Sequence, residues 1–450
     1  MTKLYLMAGC LLLATLASRA ESNNQADFKT MKYGLFVHYV WGGADKTITV
    51  NRDGSKPAGL QELADQFDAA GFARDVQSMG VEYVIFTAWH ANMNLLYPCA
   101  SMDKWISTPD HTANRDVVQA LVDELKPRGI KLFLYMHPQD GHDFTASEQA
   151  AAGFNNPTNN YEIWNNFIND VYGESVARYG TNVAGYWIDC CTVKNNQHAN
   201  IVDFDRLCAT IRTKNPSGII IETSHYAAMW GLYFGNVMSK EINDPSWFDF
   251  QPVTADINSW PGYDYHVAIV QAPTWWASTR TTSTNGVKKT PEEMFRFTVL
   301  EAGVNSRGLG VAWAAGPYPG GGWEPQVKES LQALSRLIAP VAESVKGVYA
   351  STSYPTRPGT RMRDLTWGVA TKSADERYEY LHVLRPPTNS ATLKLPPPAD
   401  GKLFAKATLL LGGRKVTLKQ DAAGLTLTLP KRVTWDKLDT VIRLQVGEKK

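Results

Sequence analysis

A chain of 450 residues, 44% hydrophobic and 20% charged, has the composition of a globular protein with a sizeable core, long enough for one large domain and a smaller one. Its net charge of +1 gives no reason to expect nucleic acid or another polyanion as partner. Aromatic residues make up 11%, but Trp both stacks on sugar rings and fills cores, so the count alone does not separate these uses.

Met1 to Ala20 reads as a secretory signal peptide. Lys3 supplies the positive start, Leu4 to Ala17 is apolar but too short to span a bilayer, and Ser18-Arg19-Ala20 brings small residues to the cleavage positions. Met7-Ala8-Gly9-Cys10 has a lipoprotein-like look, but little apolar chain precedes Cys10. The expectation is therefore a secreted or periplasmic protein without a lipid anchor. No second apolar segment suggests a membrane span. Cys99, Cys190, Cys191 and Cys208 fit no zinc spacing, and the adjacent pair is badly placed for a disulfide, so buried thiols are expected.

From about residue 31 to 317, apolar strand-like runs alternate with helical stretches. Tyr33 to His38 is a first strand. A helix-like face with Phe67, Phe72 and Val76 follows over Leu60 to Met79. Glu82 to Thr87 is a second strand, and Asp116 to Leu125 a helix with Val117, Val118, Leu121 and Leu125 at helical spacing. Lys131 to Tyr135 is a third strand. A helix from Tyr161 to Tyr179 leads into a fourth, Val183 to Ile188, which ends on Asp189. Helix Asp203 to Lys214 precedes Ile219-Ile220-Ile221, a fifth strand ending on Glu222. A sixth near Val237, a seventh at Val267 to Val270, helix Pro291 to Val304, an eighth at Leu309 to Trp313 and helix Pro325 to Val345 complete the series. Near-continuous apolar strands alternating with helices predict an α/β fold, a (β/α)8 TIM-like barrel over residues 26–346. After Gly347 short alternating runs such as Leu425 to Leu429 and Thr440 to Leu444, punctuated by Pro, Gly and Asp, predict a C-terminal antiparallel β-sandwich over 347–450.

In such a barrel the C-terminal strand ends gather at one mouth. His38 follows strand one; His90 and Asn92 follow strand two; Tyr135 and His137 lie at the end of strand three. Asp189 ends strand four, Glu222 and His225 follow strand five, and Glu241 lies beyond the sixth. Asp189 is a candidate nucleophile or general base, or else a helix cap or the partner of a buried cation. The histidines could bind a metal, but no HxH or HExxH spacing is present, and neutral imidazoles suit sugar hydroxyls without any cofactor.

Met31 to His38, Gly80 to His90, Asn114 to Val118 with Gly129 to Tyr135, and Tyr179 to Asp189 together resemble glycoside hydrolase family 29, the α-L-fucosidases. Leu365 to Lys372 and Thr408 to Gly412 resemble that family's accessory domain. The resemblance implies a retaining exo-glycosidase acting by double displacement, with Asp189 as nucleophile, and an oligosaccharide or glycoconjugate as substrate. Gly235 to Glu241 is the nearest counterpart of the family's Gly-Asp-aromatic-x-Thr-Pro-Glu stretch and nominates Glu241 as general acid/base. Glu222, then Asp249 and Asp256, are the competing carboxylates. His38, His90, Tyr135 and Trp187 would hold the sugar, with Asn92, His137 and His225 nearby. At the family's Lys-His-His-Asp-Gly-Phe motif this chain keeps His90 but has Ala91 and Asn92 where a second His and an Asp stand. An α-L-galactoside or modified fucose therefore competes with fucose as substrate, and a glycan-binding protein on a hydrolase scaffold is the reading from another class.

Overall fold

The computed structural model describes residues 28–42, 49–189, 201–223, 237–242, 264–270, 278, 286–287, 289–304, 310–357, 360 and 362–447, with backbone only over most of 237–242 and 264–270. The first sheet holds β1 (Tyr33–Val37), β2 (Tyr83–His90), β3 (Asn94–Leu95), β4 (Lys131–Met136), β5 (Gly185–Ile188), β6 (Ile219–Thr223), β7 (Val237–Ile242), β8 (Asp264–Val270) and β9 (Val311–Ala314). Its strands pair in parallel in the order β1-β9-β8-β7-β6-β5-β4-β2, and β1 also pairs with β2, which closes the ring. Only the short β3 runs antiparallel, as an appendage on β2. This is the expected (β/α)8 barrel.

Both faces of these strands are covered, which is why β1, β5 and β9 are buried throughout. Alternate residues turn inward: Phe36, Tyr83, Ile85, Phe133, Tyr135, Trp187, Ile219, Ile221, Val237, Ala312 and Ala314 fill the barrel. Phe28 plugs the floor, its ring 4.7 Å from that of Phe133. Gly185 lets β5 approach β6, because a Cβ there would lie 1.9 Å from the Ile219 carbonyl oxygen.

Three of the surrounding helices begin on acidic caps. Asp116 accepts from the Gln119 N–H at 2.8 Å ahead of helix Val117–Leu125, and Asp203 from the Arg206 N–H at 3.0 Å ahead of helix Phe204–Arg212. The helical stretch expected over Leu60 to Met79 is two helices, Leu60–Asp65 and Ala69–Ser78. Asp68 breaks it by capping the second, accepting from the Gly71 N–H at 2.8 Å.

The remaining strands form the antiparallel order β10-β11-β12-β17-β14-β15-β16-β13, where β10 is Val348–Ala350, β11 Val369–Ser373, β12 Tyr378–Val383, β13 Thr392–Leu395, β14 Phe404–Leu409, β15 Lys415–Asp421, β16 Gly424–Thr428 and β17 Thr440–Val446. This sheet curls around its own core of Leu381, Leu393, Phe404, Leu427 and Ile442 among others, the expected sandwich. Helix Pro291–Val304 docks it: Arg296 donates to the carbonyls of Lys437, Leu438 and Leu384 at 3.0, 3.1 and 2.9 Å. Cys99 and Cys208 are buried thiols outside any disulfide, and burial pushes that of Cys99 up to about 12. Cys190 and Cys191 lie outside the described residues, as do residues 1–20, where a signal peptide is expected. No helix among the described residues is long and apolar enough to cross a membrane.

Candidate active site

Strand-end hydrogen bonds set the height of each group at the mouth. The His137 N–H donates to the Trp89 carbonyl at 3.0 Å, and the Asp189 N–H to the Met136 carbonyl at 3.1 Å. One residue past the last ladder pairs of β4 and β5, both side chains inherit the inward parity of Tyr135 and Trp187. On β1, His38 continues the inward line of Phe36, its ring stacked 5.5 Å from the Phe36 ring.

The five residues His38, His90, Tyr135, His137 and Asp189 come together as the sequence predicts. The His38 ring lies 5.2 Å from that of His90 and 5.1 Å from that of Tyr135. His90 and His137 stack 5.4 Å apart with their planes 6° from parallel. Asp189, only 5% exposed, accepts from the Tyr135 hydroxyl on Oδ2 at 2.5 Å, and His137 Nε2 lies 3.7 Å from the same oxygen. A hydroxyl donor on a carboxylate is a charge-assisted bond and fixes the plane of the acid.

The sequence reading missed Asp140. It sits in the short turn Asp140–Asp143 after β4 and is buried. Its Oδ2 accepts from His90 Nδ1 at 2.7 Å, and its Oδ1 lies 3.4 Å from His137 Nε2. Burial alone would raise its carboxyl; the neighbouring His137 and His90 outweigh burial and hold it down at about 2. Burial pulls the His90 imidazole down in turn, but Asp140 above all overcomes this and raises it. His38 lies well below the ordinary imidazole range, first through burial and then through His90 and His137. The polar run His137 to Asp143 directly behind an apolar strand was the available signal.

Seven other expected site residues sit differently or fall outside the described side chains. Trp187 is fully buried, edge-on to Phe36 at 4.7 Å, so it is the floor beneath Asp189 and not a surface for stacking a sugar. Asn92 turns away into packing: its N–H donates to Asp143 Oδ2 at 2.9 Å, and its side chain fills the space beside Gly42, where a Cβ would meet it at 1.8 Å. Glu222 lies level with Ile188 and shares the face of Ile220, both of which belong to the core between strands and helices. Ile219 and Ile221 take the inward positions on that strand, so Glu222, fully buried, is set on the outer face. Glu241 is inside β7 and not beyond it; its side chain, like His225, Asp249 and Asp256, lies outside what the structure describes. Among the described residues no group of three or more His, Cys, Asp or Glu side chains is arranged to hold a metal ion.

The model of the Alpha-L-fucosidase family matches residues 61–266, a span that runs from the helix before β2 into β8 and includes every strand end from His90 to Glu241. Over that span the chain is similar to the α-L-fucosidase family of glycoside hydrolases. A GH29 α-L-fucosidase from Bacteroides thetaiotaomicron superimposes with a TM-score of 0.66 at 19% identity, covering 95% of this chain and 96% of that one. A bacterial fucosidase with a monovalent iminocyclitol inhibitor gives 0.64 at 19%, covering 96% and 97%. α-L-Fucosidase isoenzyme 1 from Paenibacillus thiaminolyticus gives 0.63 at 16%, covering 95% and 99%. At such identities these likenesses establish the shared fold, barrel and sandwich together. No curated protein matches the chain.

Proposed function

We propose that this chain is a divergent member of the fucosidase family and a retaining exo-glycosidase that cleaves α-L-fucosides or a closely related sugar, with Asp189 as nucleophile. The observation that carries the reading is a buried carboxylate at the C-terminal edge of β5, held by the Tyr135 hydroxyl at 2.5 Å among the rings of His38, His90 and His137. In the first step Asp189 attacks the anomeric carbon, the glycosidic C–O bond breaks, and a protonated acid gives its proton to the departing oxygen. In the second step the same acid takes a proton from water, which displaces Asp189 from the sugar. Donors on Asp189 Oδ2 then stabilise the departing carboxylate.

The support for Glu241 as that acid, over Glu222, is strand alternation. Position 241 falls on the same face of β7 as Val237, an interior residue, whereas Glu222 shares the outer face with Ile220. A related sugar is favoured over fucose itself by one observation: Ala91 and Asn92 replace polar ligands in the matched motif, and Asn92 is spent on packing. We read residues 1–20 as an export signal; N-terminal sequencing of the mature protein checks this.

The experiment is a nitrophenyl glycoside panel that includes α-L-fucoside and α-L-galactoside, with product anomers followed by NMR. Net retention and glycosyl azide formation by Asp189→Gly in azide support the reading. Inversion, or Asp189→Gly with full hydrolysis, sinks it. Tight iminocyclitol binding with no turnover across the panel points instead to a glycan-binding protein.

A further inference from the structure

We propose that Asp140 is the positioning residue of the barrel mouth, a single carboxylate that holds His90 and His137 in register and so decides which nitrogen of each ring faces the sugar and Asp189. The proposal rests on the glycosidase reading of the site. Its two oxygens divide the work: Oδ2 accepts a hydrogen bond from His90 Nδ1 at 2.7 Å and Oδ1 faces His137 Nε2 at 3.4 Å. The two rings are thereby kept nearly parallel, 6° apart.

Hydrogen bonding fixes the tautomers. The Gln139 N–H donates to His137 Nδ1 at 3.4 Å, so the His137 proton sits on Nε2. That nitrogen lies between Asp140 Oδ1 at 3.4 Å and Asp189 Oδ2 at 3.7 Å. His90 donates through Nδ1, which turns its Nε2 to the side of the ring away from Asp140. When Asp189 loses its charge to the sugar, the His137 N–H keeps Asp140 as acceptor; when Asp189 departs, the N–H serves the carboxylate again. No proton has to move.

The groups facing Asp140 are His90 from β2, His137 from the end of β4, and His142 from its own turn, whose Nε2 is 4.0 Å from Asp140 Oδ1 and 3.3 Å from Asp143 Oδ1. Asp189 beyond β5 and His38 beyond β1 close the circle through the histidines. A merely structural role, fastening the turn to the barrel, would show in stability alone.

The test is Asp140→Asn in the full chain, with Asp140→Glu as the charge-keeping variant. The His90 ring titration is read by NMR without substrate, its signal assigned by loss in His90→Gln. The expected result in Asp140→Asn is a His90 midpoint lower by about one pH unit or more. The alkaline limb of the kcat/KM profile moves down with it, and kcat/KM falls roughly 10- to 100-fold. Asp140→Glu restores part of each. If Asp140→Asn does not fold, Asp140→Glu carries the test through a smaller loss of kcat/KM with the His90 midpoint still high. An unchanged midpoint and pH profile, with only the melting temperature lowered, overturns the proposal. Because the titration needs no substrate, a chain that hydrolyses nothing in the panel but shows the His90 shift loses the glycosidase reading and keeps the clamp.

Discussion

Among the described residues the same pair occurs twice. At the barrel mouth His90 Nδ1 meets Asp140 Oδ2 at 2.7 Å; in the sandwich His382 Nδ1 meets Asp439 Oδ2 at 2.7 Å. The difference lies in what the second nitrogen meets. His382 Nε2 faces the Ser344 carbonyl at 3.2 Å, the Thr371 hydroxyl donates to that same oxygen at 2.6 Å, and the ring is 0% exposed. Every polar capacity there is turned inward, and the pair stitches the helix Ala342–Val345 to β11 and β12. The His90 side chain keeps 15% exposure, and its carboxylate also faces His137, which in turn approaches Asp189. One His–Asp pair is a fastening and the other, on our proposal, orients rings toward a sugar, although bond length alone does not tell them apart.

Substitutions break that contrast in order of size. Asp189→Asn should lower kcat/KM by roughly 10⁴-fold, as loss of one member of a catalytic unit does. Its melting temperature should hold or rise, because a buried carboxylate becomes an amide; a parallel loss of stability and activity would place Asp189 with His382 as a structural group. His382→Ala should do the reverse. It strands Asp439 in the interior and should cost about 3–5 kcal/mol by chemical denaturation, with kcat/KM per folded molecule unaltered.

Glu241→Gln comes next. Loss of a general acid should cost roughly 10²–10⁴-fold in kcat for a glycoside with a poor leaving group, and far less for a nitrophenol. If Glu222→Gln shows that leaving-group dependence instead, the outer-face assignment of Glu222 fails.

The smallest effect concerns a buried acid with no histidine. Glu301, in the helix that docks the sandwich, is pushed up to about 8 by burial, which Lys32 only partly offsets. Its folded value lies above the ordinary carboxylate range, so its contribution to stability is complete below about pH 4.3 and is lost as pH rises through about 8. Glu301→Gln should therefore be near neutral at pH 5 and stabilising at pH 9. Equal melting shifts at the two pH values would remove the unpaired-acid account.

Much of the scaffold was legible because its causes are local. Apolar runs with turn residues between them marked seven of the barrel strands clearly, and the change to short alternating runs after Gly347 marked the sandwich. Strand ends also named His38, His90, Tyr135, His137 and Asp189 correctly as neighbours, because a parallel barrel delivers all its C-terminal edges to one face. The errors arose where direction, not position, mattered. Glu222 and Trp187 both sit near strand ends, but one residue of parity sends Glu222 outward, and complete burial makes Trp187 a floor.

What the sequence by itself determined was the alternation of elements, the family resemblance and the height of each polar group along its strand, all properties of the chain read in order. Only the tertiary structure decided who touches whom: that one carboxylate from a turn, Asp140, binds rings from two strands, and that Tyr135 and His137 converge on one oxygen of Asp189. Hydrogen bonds between side chains reach across the barrel over a few ångströms, and no spacing along the chain encodes that reach.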